Sequence, residues 1–128
     1  MAIKLPPYDL EIEKIVLGSL IANSNSLNEV RTIINEDCFY DLFHKDVFNA
    51  IKILDDAGTA PNMMTVYNEL LKKYKIEELT RFVDITACQS FDVYDLTCVL
   101  IDKAIRRKLY FVGVKINSMS TDENSDIE

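Results

Sequence analysis

Apolar residues along this chain recur at steps of three and four, and alternating stretches are almost absent, so the pattern predicts helices throughout. The first begins at Asp9, a good N-cap residue, with Glu11 and Glu13 where a helix dipole favours negative charge. Ile12, Ile15, Val16, Ser19 and Leu20 follow at helical spacing, and Leu17 and Ile21 widen the apolar face. Gly18 costs about 1 kcal/mol relative to Ala in a helix interior, so it marks either a close helix crossing or a tolerated gap. Ser26 and Glu29 fit a capping box that opens a short second helix through VRTII, and the segment EDCFYDLF after it is aromatic and irregular.

A third helix is predicted from about His44 to Ala57, with Val47, Phe48, Ile51 and Leu54 on one face and Gly58 as its stop. Asn62 caps a fourth from Met63 to Lys73, and a fifth runs from about Glu77 to Cys88. The last helix, capped by Ser90 or Asp92, carries a continuous stripe: Tyr94, Cys98, Ile101, Ile105, Leu109, Val112, Ile116 and Met119. Val93, Leu96, Leu100, Ala104, Phe111 and Val114 make a second apolar face. A helix of about 25 residues is roughly 37 Å long, more than a small head can cover, so part of it should project and meet a partner chain or helix. The expected fold is therefore all-α: a bundle of about five short helices in residues 1–90, a long projecting helix over 91–119, and a polar acidic tail over 120–128.

Composition narrows the function more than the fold. At 128 residues and 48% hydrophobic, with three Gly and three Pro, the chain reads as one globular domain. The net charge of −7 favours a neutral or basic partner surface over nucleic acid. Cys38, Cys88 and Cys98 form no CxxC pair and read as reduced thiols in the core. The opening MAIKLPP has no apolar signal region and no run of about 18 apolar residues occurs, so a soluble, cytoplasmic protein without a membrane partner is expected.

Candidate chemistry is sparse. The three glycines are isolated, so no phosphate loop is present. His44 is the one histidine and has only Asp41 and Asp46 beside it, which gives neither a nucleophile's base nor a metal set; it reads as a structural side chain near a helix start. Glu11 and Glu13 would point to different sides of a helix, and read as solvated first-turn charges rather than a general acid and base. The basic run Lys103, Arg106, Arg107, Lys108 and Lys115 reads as a solvated stripe on an interface helix.

The order P-x-D-L-E-x-E-x-x-V-L-G-S-L at Pro7 to Leu20, D-x-F-Y at Asp37 to Tyr40, H-x-x-x-F-x-A-I at His44 to Ile51, L-x-x-x-G at Leu54 to Gly58 and T-V-x-x-x-L at Thr65 to Leu70 resembles the N-terminal domain of the DnaB-like replicative DNA helicases. K-A-I-R-R-K-L at Lys103 to Leu109 is similar to that family's K-A-x-L-R-R-L, although Arg106 replaces an aliphatic residue and Leu79-Thr80 stands where the family has a Gly pair. The resemblance implies a non-catalytic collar domain whose long helix is the first half of a hairpin, with the acidic tail at its tip. It implies self-association as a dimer, or a hexamer in the full-length protein, and docking of primase or a helicase loader. ATP, Mg and single-stranded DNA would belong to a motor domain outside these residues. Ile101, Ile105, Arg106, Leu109, Val112 and Ile116 are the expected interface. Two other classes remain, a small helical DNA-binding regulator with the fourth and fifth helices as helix-turn-helix, and a helical enzyme with a carboxylate site.

Overall fold

A computed structural model describes residues 6–90 and 92–121. They form six α-helices and two 3₁₀ turns with no strand: α1 (Leu10–Ala22), α2 (Ser24–Val30), α3 (Leu42–Asp56), α4 (Met63–Leu70), α5 (Thr80–Thr86) and α6 (Val93–Thr121), with the turns at Glu36–Cys38 and Ile76–Leu79. The acidic segment beyond Thr121, read above as a hairpin tip, lies outside the described residues.

Local side chains set the ends of these helices. Asp9 accepts from the Ile12 backbone N–H at 3.1 Å and starts α1. Asn23 ends α1 and at once starts α2, accepting from the Asn25 N–H at 2.9 Å. The capping box predicted at Ser26 is therefore displaced: the cap of α2 lies three residues earlier, the helix stops at Val30, and most of VRTII is a turn in which the Ile33 and Ile34 amides return to the Val30 carbonyl. Asp41 caps α3 through the Phe43 and His44 amides at 2.8 and 3.2 Å. Gly58, at φ +78°, ends it, with Thr59 N–H bonded to Leu54 O and Gly58 N–H to Asp55 O.

The predicted fourth and fifth helices are both too long. α4 is opened by the reciprocal Asn62–Thr65 pair and stops at Leu70, where a tight turn leads into Tyr74. The Tyr74 hydroxyl is held by the Asp46 carboxylate and its ring packs edge-on against Phe43. The predicted fifth helix breaks at Leu79 into a 3₁₀ turn and α5, with Leu79 and Phe82 both buried in the core.

The core gathers around α1, which touches every other helix. Val16, Leu17 and Leu20 of α1 meet Val47, Phe48 and Ile51 of α3, Val66 of α4, Phe82 and Ile85 of α5, and Leu100 of α6, all buried. Gly18 is the closest crossing: an ideal Cβ there would lie 1.6 Å from the Cys88 carbonyl oxygen and 2.4 Å from that of Ile85. The glycine is thus required by the approach of α5, and its helix cost is offset by the contact it allows. Of the three cysteines read as core residues, only Cys38 is buried; Cys88 is half-buried and Cys98 exposed.

Gly18→Ala should destabilise the fold by about 3 kcal/mol or more in denaturant unfolding, since the clash is with backbone that cannot rotate away. Gly113→Ala, in a helix with nothing within 4 Å of the new Cβ, should instead stabilise by up to about 1 kcal/mol. Equal effects at the two positions would contradict the crossing.

Candidate functional site

α6 has 29 residues and so runs about 43 Å, further than the head can follow it. Its inner face, Val93, Thr97, Leu100, Ala104 and Arg107, is buried on the head, and Arg107 is its last buried residue. From Lys108 to Thr121 every residue is exposed except the half-buried Tyr110. Of the predicted stripe, Ile101 packs against the edge of the core. Ile105, Leu109, Val112 and Ile116 stand outward at 54%, 66%, 55% and 61% exposure. Arg106 lies to one side of this row, paired with Asp102 at 2.8 Å one turn away. Phe111 and Val114 continue the head-facing side past the point where the head ends, and both are exposed.

Two charged residues read from sequence as solvated are buried, and both secure the same loop. Glu13 was predicted to face water, yet it is fully buried: it accepts from the Tyr40 amide at 3.0 Å and the Asp41 amide at 3.4 Å, and its Oε1 lies 2.8 Å from His44 Nδ1. The irregular segment before α3 leaves backbone donors that need an acceptor, and the inward side of α1 supplies one. His44 is the structural side chain expected, 1% exposed. Arg107, predicted as part of a solvated stripe, is 7% exposed and donates to the carbonyls of Pro7 and Asp37 at 3.0 and 2.7 Å while its guanidinium lies over the Tyr40 ring. Helical spacing places Glu13 in line with Val16, Leu17 and Leu20 and Arg107 in line with Leu100 and Ala104, which signals their burial, but the partners that satisfy them are distant in the chain and carry no local pattern.

Neither a DNA-binding regulator nor a carboxylate enzyme gains support from this geometry. α5 has a single basic residue, Arg81, and it is bonded to Asp41 at 2.8 Å and lies over the Phe43 ring, so it offers no basic recognition helix. The buried His44–Glu13 pair is a strut between α1 and α3 whose imidazole a substrate cannot reach. Among the described residues no group of three or more His, Cys, Asp or Glu side chains could hold a metal ion. No described helix is long and apolar enough to cross a membrane.

Residues 5–91 match the family model of the DnaB-like helicase N terminal domain. Among curated proteins, the replicative DNA helicase DnaC of Bacillus subtilis is 32% identical over 76 residues, covering 59% of this chain and 17% of that protein. The replicative DNA helicase DnaB of Treponema pallidum is 30% identical over 120 residues, covering 86% of this chain and 26% of that protein. The chain thus spans at most about a quarter of these relatives. The crystal structure of the N-terminal domain of DnaB helicase from Mycobacterium tuberculosis superposes with a TM-score of 0.82 at 21% identity, over 91% of this chain and 86% of that one, which shows that the fold is shared.

The buried struts can be checked directly. Glu13→Ala should cost about 3 to 5 kcal/mol, because it strands His44 and two backbone donors, whereas Glu11→Ala on the exposed side should stay within about 0.5 kcal/mol. Burial pushes the Asp41 carboxyl up, but the Arg81 guanidinium and the His44 amide outweigh it and hold the group below its ordinary value of 3.8. A depressed acid contributes stability that is complete above its unfolded value and lost as pH falls through the folded one. The stability difference between the parent and Arg81→Ala should therefore be present at neutral pH and shrink below pH 3.8. A difference independent of pH would remove Asp41 as the partner.

Proposed function

Since the chain belongs to the DnaB-like helicase N-terminal domain family, we propose that it is a non-catalytic assembly module of a replicative DNA helicase. The head is a scaffold that fixes the direction in which α6 leaves, and the outward half of α6 is the surface on which copies of the protein meet. The observation that carries this reading is the row Ile105, Leu109, Val112 and Ile116, four aliphatic side chains more than half exposed, which starts opposite the last head-packed turn of α6 and continues along the part that has left the head. Contiguous apolar surface of this kind is rarely left bare on a monomer.

Pairing of two such helices about a two-fold axis is the simplest closure, because one patch then serves both partners. In a full-length protein, repetition of the contact would give a hexameric collar, with primase or a loader docking on it. ATP hydrolysis, Mg and passage along single-stranded DNA would lie in a motor domain outside these residues. The cytoplasm, where a replicative helicase works, is the proposed location.

The chain should form dimers in solution, and replacing Ile105 and Leu109 with Glu should raise the dissociation constant at least 100-fold, equivalent to about 2.7 kcal/mol, while leaving helicity and thermal unfolding intact. Light scattering and circular dichroism report the two halves of this expectation. A parent that is monomeric at high concentration, or a double variant that unfolds, would mean that the row does not face another copy. The same chain should hydrolyse no ATP, with or without single-stranded DNA.

A further inference from the structure

A second surface lies where α6 leaves the head, on the head-facing side of the helix and away from Ile105 and Leu109. An open groove of about 200 Å³ runs there between the loop before α3 and the helix, lined by Tyr40, Lys45, Ala104, Arg107, Lys108 and Phe111 among others. Arg107 stands out electrostatically. It is buried, and among the described residues its hydrogen bonds go to two backbone carbonyls and no carboxylate pairs with it, since the Asp37 side chain turns to Lys108 at 3.3 Å. A guanidinium carries five N–H donors and these bonds use two. A buried cation faced by carbonyl dipoles alone keeps a desolvation cost that an arriving anion relieves.

The rim is mainly of the same sign; its one acid is Asp37, whose carboxylate is held by Lys108 at 3.3 Å. Lys45 is half-buried and makes no ion pair among the described residues, and Lys108 has only its exposed pair with Asp37. Residues 103–115 hold five Lys and Arg and no Asp or Glu, within a chain of net charge −7. One wall is apolar: Phe111 is 53% exposed above the buried Ala104.

We propose that this groove docks an acidic peptide segment of a partner protein, with a carboxylate reaching Arg107 and Lys45 and an adjacent apolar side chain seated against Phe111 and Ala104. Charge complementarity selects the carboxylate, and the exposed aromatic wall selects the apolar neighbour. A single nucleic-acid strand is the less suitable occupant. Such strands need free aromatic faces for successive bases, and Tyr40 is already stacked on Tyr8 at 4.5 Å and approached by Arg107.

The probe is a fluorescein-labelled peptide of sequence Gly-Asp-Glu-Phe-Asp-Glu-Gly, followed by anisotropy and by amide shifts in the chain. Saturable binding should move the amides of Tyr40, Ala104 and Phe111. Lys45→Glu, Lys108→Glu and Phe111→Ser should each weaken it at least fivefold, whereas Lys52→Glu, on the exposed side of α3, should leave it unchanged. Because the groove and the apolar row are separate, an Ile105→Asn, Leu109→Asn double variant, which disrupts the row without adding negative charge, should bind the peptide like the parent, so this surface and the self-association face can fail independently. The proposal is overturned by absence of saturable binding at millimolar peptide, by shifts confined to other residues, by full binding in Lys45→Glu, or by displacement of the peptide with a short oligothymidylate.

Discussion

The buried carboxylate of Glu13 is the constraint on which the remaining geometry depends. An ionisable group with no exposed surface is tolerated only where donors surround it, and here the donors are the Tyr40 and Asp41 amides and the imidazole of His44. Satisfying Glu13 therefore fixes where α3 begins relative to α1. Asp41, held in place at that point, caps α3 and pairs with Arg81 of α5, so one buried acid orders three helices.

Arg107 holds the opposite side of the same loop. Its bonds to Pro7 and Asp37 and its place over Tyr40 attach α6 to the segment that Glu13 has already positioned. The direction in which α6 departs is thus set by a polar clamp at the last buried turn, and apolar packing by Val93, Leu100 and Ala104 sets the angle behind it. A helix held only by apolar contacts could slide along its axis, whereas a guanidinium bonded to two carbonyls has a single register. The projecting half can then present its side chains in a defined direction, as the proposed assembly surface would require.

The close crossing at Gly18 serves the same end by different physics. α1 touches all the other helices, and a central helix in so small a head leaves little room for side chains on every side. Removing the side chain at one position lets the end of α5 lie against α1, with the Cys88 and Ile85 carbonyls where a Cβ would stand. Ser19 beside it bonds the Ser90 backbone in both directions, Ser90 N–H to Ser19 Oγ at 2.8 Å and Ser19 Oγ to Ser90 O at 3.2 Å, and secures the start of the link to α6.

What the sequence determined by itself is the part of the fold written in short-range patterns. The cap at Asp9, the stop at Gly58, the cap at Asn62 and the long apolar periodicity after Asp92 each depend on residues within a few positions of one another, so the all-α class and the existence of the long helix were legible. The likeness of its ordered motifs to the DnaB-like N-terminal domain was legible for the same reason, since family motifs are local strings in a fixed order. Only the tertiary structure decided what the buried charges meet. Glu11 and Glu13 point to different sides of α1 and Arg106 and Arg107 are adjacent in one basic run, but only the fold brings the partners, 27 to 100 residues away, that bury one member of each pair and leave the other exposed. Which of the two apolar faces of α6 covers the head was likewise settled by packing, because a helix periodicity fixes the spacing of a face and not its direction.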